Sequence, residues 1–134
     1  MREQAQKSKG QPAVDVRAII TGDTKALVDK AQQLGPELKR GELTTSQIRN
    51  IFGLIKKMER RDFSPDRLLL VKPKLAYAAA RHNKAGLTTL KNVLSDAIDV
   101  VVEADDQRVQ AERFKQFVNL FEAILAYHRE AGGK

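Results

Sequence analysis

The segment KPKLAYAAARHNK, residues 72–84, carries Lys72, Lys74, Arg81 and Lys84 and holds no acid. Cations spaced this way do one kind of chemistry: they hold anions, Arg through a planar fork that matches phosphate and Lys as a point charge. At about 100° per residue of helix, Lys74, Tyr77, Arg81 and Lys84 share one narrow stripe. Leu75, Ala79 and His82 form a neighbouring stripe that can face a core, and the small Ala76, Ala78, Ala79 and Ala80 permit close helix packing. A second row lies upstream, where Arg49, Gly53, Lys56 and Arg60 flank the apolar positions Ile48, Ile51, Phe52 and Ile55, with Lys57 at its edge. Gly53 costs a helix roughly 1 kcal/mol relative to Ala, and admission of a neighbouring helix is its expected role. A backbone approaching the basic row would use it equally. Two basic rows on neighbouring helices suit a groove for a sugar–phosphate backbone. Two ordinary solvated faces are the competing reading of the same pattern.

Charge distribution favours the groove. The chain has 134 residues, 24 Lys+Arg against 17 Asp+Glu, and a net charge of +7. Residues 42–84 hold ten bases and four acids, whereas residues 85–134 hold six bases and eight acids. The excess therefore sits in the middle of the chain, as a basic face for an anionic partner requires.

Other chemistries find no support. There is no cysteine, which removes disulfides, thiolate nucleophiles and Cys-based zinc sites. His82 and His128 lack metal-site spacing. His82 is expected at the edge of the core, and His128 packed or capping at the end of an aromatic stripe. Asp105 and Asp106 suit a helix start, and Asp96 and Asp99 a solvated face. No phosphate-binding Gly-rich loop and no G-x-S-x-G occurs. No catalytic residues, metal or cofactor are expected, and the chain is not read as an enzyme. No apolar run approaches the ~20 residues of a membrane span, and MREQAQKSKGQPAVDV has no apolar core of a secretory signal. The expected setting is cytoplasmic, without membrane contact.

These residues need helices to position them. Residues 1–13 read as a flexible polar tail and residues 14–134 as a single helical domain. Asp23 caps a helix running to about Lys39, with Gly35-Pro36 as a kink or break and Gly41 as its end. Thr44 and Gln47 have capping-box spacing. Ser64 and Pro65 start a short helix as N-cap and first residue. Pro73 is expected to end that helix and open the next, to Asn83. Gly86 separates it from Leu87 to about Glu103, and a last helix runs from about Asp106 to Arg129. In this last helix Phe114, Phe117, Val118, Phe121, Ile124, Leu125 and His128 form one stripe. AIDVVV, 97–102, is the one place where a strand competes, and without a partner strand it stays helical. The fold class is all-α, a compact bundle of about five helices.

Two segments together carry a resemblance. LTTSQIRNIF (43–52) and LLLVKPKLAYAAAR (68–81) resemble the small subunit of type III-A CRISPR–Cas (Csm) RNA-targeting effector complexes. The closing FVNLFEAILAYHR (117–129) is similar to the end of that family, and the likeness spans about 27–129. The resemblance implies a non-catalytic structural subunit whose copies stack in a ribonucleoprotein filament. There it would meet crRNA and target RNA through their backbones, without sequence specificity, beside the backbone-forming and large subunits of the Csm complex. By motif position, Arg49, Lys72, Lys74 and Arg81 match the family's basic positions. Lys56, Lys57, Arg60 and Lys84 come from the stripes alone. The competing readings are a helical protein–protein adaptor with a basic face and a small helix-turn-helix DNA binder between Glu37 and Arg60.

Overall fold

The computed structural model describes residues 13–60 and 63–134, so the expected tail at 1–13 lies outside the described residues except for Ala13. Among the described residues there are seven helical segments and no strand: α1 Val14–Ile20, α2 Thr24–Arg40, α3 Thr45–Arg60, α4 Pro65–Leu69, α5 Val71–His82, α6 Ala85–Glu103 and α7 Gln107–Glu130. The all-helical class holds. The number exceeds about five because α1 is a helix of its own and α4 is a single short turn. AIDVVV is helical, within α6.

The starts follow local chemistry. Asp23 accepts a hydrogen bond from the Ala26 amide at 3.0 Å. Thr44 and Gln47 complete a reciprocal box: the Thr44 amide donates to Gln47 Oε1 at 3.0 Å and the Gln47 amide to Thr44 Oγ1 at 3.2 Å. Each bond satisfies a donor that the first helical turn would leave open. Ser64 Oγ accepts from the Arg67 amide with Pro65 at the first position, and Asp106 caps α7.

The break expected at Pro36 and the helix start expected at Pro73 are corrected. Helix α2 runs unbroken through Pro36. Gly35 is there for contact rather than for breaking. A Cβ on it would lie 2.5 Å from the backbone carbon of Tyr127, so its absence lets α2 and α7 pack backbone to backbone. This α2–α7 contact is the most extensive in the molecule and offsets the hydrogen bond Pro36 cannot make. Helix α5 begins at Val71, two residues before Pro73. Pro73 sits in the first turn, where its missing N–H would have had no partner within the helix. Gly86 likewise lies inside the first turn of α6. A Cβ there would meet the Leu38 and Gly41 carbonyls at 2.7 and 2.9 Å, and the Gly86 amide donates to the Gly41 carbonyl at 2.9 Å. The start of α6 is thereby pinned to the end of α2.

The core is one contiguous apolar cluster around α6 and α7. Phe114, Phe117 and Phe121 run through it, with Phe63 stacked on Phe114 at 4.8 Å and Phe52 edge-on to Phe121 at 5.0 Å. His128 ends this stripe fully buried, its Nε2 2.6 Å from the Leu43 carbonyl. A carbonyl only accepts, so Nε2 carries the hydrogen. Gly133 closes over the ring so tightly that a Cβ would fall 2.1 Å from Cε1. His82, expected at the core edge, is exposed at the end of α5.

Candidate nucleic-acid interface

Helices α3 and α5, which carry the two basic rows, are not a packed pair. Helix α3 rests on α7, α5 rests on α6, and the short α4 touches both. The expected groove walled by two neighbouring helices is therefore not how the chain arranges them. The apolar stripe of each helix chooses its support. Ile48, Ile51 and Ile55 turn α3 into the core, and Val71, Leu75 and Ala79 do the same for α5. The cations follow on the outer faces.

Five of the eight predicted cations are exposed and make no ion pair among the described residues: Arg49, Lys57 and Arg60 on α3, and Lys74 and Arg81 on α5. Tyr77 stands between the two α5 cations, 66% exposed. The other three are occupied within the chain. Lys56 is half-buried, bonded to Glu59, 4.0 Å from Glu122 and above the Phe52 ring at 5.7 Å. The hydrogen bond to Glu59 holds its ammonium above the ordinary lysine range. Lys57, placed at the edge of the row by the stripe, is the outward one. Lys72 is half-buried and paired with Asp99 across to α6, so Asp99 is an anchor for α5 rather than part of a free acidic face. Lys84 leaves the α5 stripe altogether. Asn83 takes a left-handed conformation at φ 52° and ends the helix. Lys84 then precedes α6, 2.7 Å from Glu42, whose carboxyl this hydrogen bond pulls below its usual range.

Gly53 is exposed on the α3 row, and a Cβ added to it would meet nothing within 4 Å. No helix among the described residues uses the gap, so Gly53 does not serve the packing role expected for it there. Beside it, an open hollow of about 830 Å³ is lined by Leu54, Lys57, Met58, Arg60 and Arg67. Arg67 was not legible as part of this surface, because it belongs to α4 and reaches the others only through the fold. Helices α2 and α3 are joined by a short turn, but they do not pack on each other as a helix-turn-helix pair must; each packs on α7.

Among the described residues, no group of three or more His, Asp or Glu is placed to hold a metal ion. No helix there is long and apolar enough to cross a membrane. What the arrangement offers is cationic side chains on two outer helix faces, chemistry suited to phosphates.

No curated protein and no solved structure matches the chain. A protein family described as Csm2 Type III-A matches residues 21–134. That span holds all seven helices but α1, together with every predicted site residue. The chain therefore belongs to the Csm2 type III-A family, the small subunit of the type III-A CRISPR Csm complex.

Proposed function

We propose that this chain is a non-catalytic structural subunit that binds the backbones of crRNA and target RNA without sequence specificity and supports filament assembly. Its partners on this reading are the two RNA strands, other copies of itself, and the backbone and large subunits of the Csm complex, in the cytoplasm. One observation carries the reading: Arg49, Lys57, Arg60, Lys74 and Arg81 stand exposed and unpaired among the described residues, and Arg49, Lys74 and Arg81 lie within the two segments that resemble the family's motifs. Surface cations without a carboxylate partner raise the local positive potential, which favours an external anion. Lys56, Lys72 and Lys84 would contribute less, because each must first give up a carboxylate. Guide pairing supplies sequence specificity in such complexes, which leaves the protein only backbone and shape to recognise.

The test is a fluorescence-anisotropy titration of a generic RNA at several salt concentrations. Wild type is expected to bind with an affinity that falls steeply as salt rises, by counterion release. Arg49→Glu/Arg81→Glu is expected to lose that binding and keep its helical circular dichroism, since both side chains are exposed. Binding without a salt slope would overturn the reading, as would a tight preference for one DNA duplex.

A further inference from the structure

The close approach of Gly41 and Gly86 gathers cations that the sequence keeps far apart. Lys39 and Arg40 end α2, Lys84 precedes α6, and Lys134 lies beyond α7. Two adjoining hollows open at this corner. One of about 420 Å³ is lined by Lys39, Glu42, Leu43, Thr44, Lys84, Gly132 and Lys134. The other, about 250 Å³, is lined by Arg40, Gly41, Glu42, Asn83, Lys84 and Ala85. Glu42 and Lys84 are common to both, so the hollows share a wall.

The balance of side-chain charge at this corner is four cations against one carboxylate. Glu42 is bonded to Lys84, while Lys39, Arg40 and Lys134 make no ion pair among the described residues. Glu42 also holds φ at 66°, a left-handed conformation uncommon for a residue with a side chain. The corner is rigid, because a Cβ on Gly41 would come within 2.4 Å of the Gly86 amide nitrogen and the two backbones are hydrogen-bonded. The nineteen-residue α6 starts here with no side-chain cap and no acid in its first turn, which adds the positive end of its dipole.

We infer that this corner is a second phosphate site, taken by phosphodiester groups of an RNA strand and built from Lys39, Arg40 and Lys84. It rests on the RNA-binding reading but adds Lys39 and Arg40, which lie outside both rows, to Lys84, which the sequence placed on the α5 row. Lys84 links the two: it follows the α5 row in sequence and stands in the corner in space. A strand crossing Lys74 and Arg81 would meet the corner next, and its phosphates would compete with Glu42 for Lys84.

The experiment is an RNA titration across a salt series with wild type, Lys39→Ala/Arg40→Ala and Arg49→Glu/Arg81→Glu, repeated with inorganic triphosphate as competitor at constant ionic strength. Both alanine positions are exposed, and circular dichroism checks the fold. The corner predicts that Lys39→Ala/Arg40→Ala lowers the salt slope by about 1.4, roughly 0.7 for each single-strand phosphate that is no longer neutralised. Triphosphate should displace little RNA, because one small anion cannot span both rows and corner. An unchanged slope in that variant, with the row variant still impaired, overturns the corner and leaves the rows standing. A weaker slope in the corner variant alone keeps the corner and overturns the rows. Full displacement by triphosphate overturns a strand site in favour of a free-phosphate pocket. No binding by wild type overturns both readings.

Discussion

Two glycines show how differently one residue type can act in this chain. Gly35 is buried against the backbone of Tyr127, where a Cβ would come within 2.5 Å, and Gly53 faces open space. Gly35→Ala must push α2 from α7 and is expected to destabilise the fold by about 1–3 kcal/mol, the usual effect of overpacking a tight core. Gly53→Ala adds a better helix former with nothing to strike and is expected to stabilise by up to about 1 kcal/mol. Urea midpoints of the two variants check both signs at once. A neutral Gly35→Ala would mean the helices can separate without loss. Neither role could be read from local sequence. Gly35-Pro36 reads as a break because nothing nearby in the chain announces Tyr127, and Gly53 reads as a packing gap because nothing announces that α3 has no neighbour there. The same limit applies to the cations. Lys56 and Lys57 are adjacent in sequence, yet Glu59 and Glu122 engage the first while the second faces water.

Helix α1 is the element whose attachment depends most visibly on charge. Val16, Ile19 and Ile20 bury its inner face, and Gln116 Nε2 donates to the Ile19 carbonyl at 3.0 Å. Asp15 pairs with Lys30 at 2.8 Å, and Arg17 forks onto both oxygens of Glu103, which Arg113 also reaches. The Arg17 hydrogen bond holds the Glu103 carboxyl below its ordinary range despite some desolvation. A carboxylate with a depressed folded pKa contributes stability that is fully present above its unfolded value, about 4.3, and is lost as pH falls through the folded value. Lowering the pH through and below the ordinary carboxylate range is therefore expected to loosen α1 before the α2–α7 core opens. Hydrogen exchange over residues 14–20 reads this directly. Glu103→Gln should already show raised α1 exchange at neutral pH and a flatter acid dependence; an unchanged profile would mean that apolar burial alone holds the helix. The helix starts, by contrast, were legible residue by residue at Asp23, Thr44, Ser64 and Asp106, because a cap is a bond between neighbours in sequence. The short α1 is not legible as a separate helix, since its seven residues gain their stability from α6, α2 and α7 rather than from their own pattern.

At the scale of the whole molecule, the cations sit on outer faces of a bundle centred on α6 and α7, and folding fixes their spacing, so an RNA ligand is expected to bind the folded state more tightly than the unfolded chain. On the proposed function, RNA at 100 times its dissociation constant should stabilise the fold by at most about 2.7 kcal/mol, less whatever the unfolded chain gains by binding it. The expected result is a rise of several degrees in Tm at low salt that disappears as salt is raised. A Tm indifferent to RNA at low salt would count against backbone binding by the folded chain. The helical period, the caps and the concentration of bases in residues 42–84 are properties of neighbouring residues, and the sequence by itself determined them: an all-helical chain with its positive charge in the middle. The family-like motifs are equally local strings. Which cations stay free is a different kind of fact. Asp99 claims Lys72, Glu42 claims Lys84, and Glu59 with Glu122 claims Lys56. Only the tertiary structure decided this, along with the separation of α3 from α5 and the meeting of Lys39, Arg40 and Lys84. Ion pairing and burial depend on distance in space, and apart from Lys56 with Glu59 these partners are 27 or more residues apart in the chain.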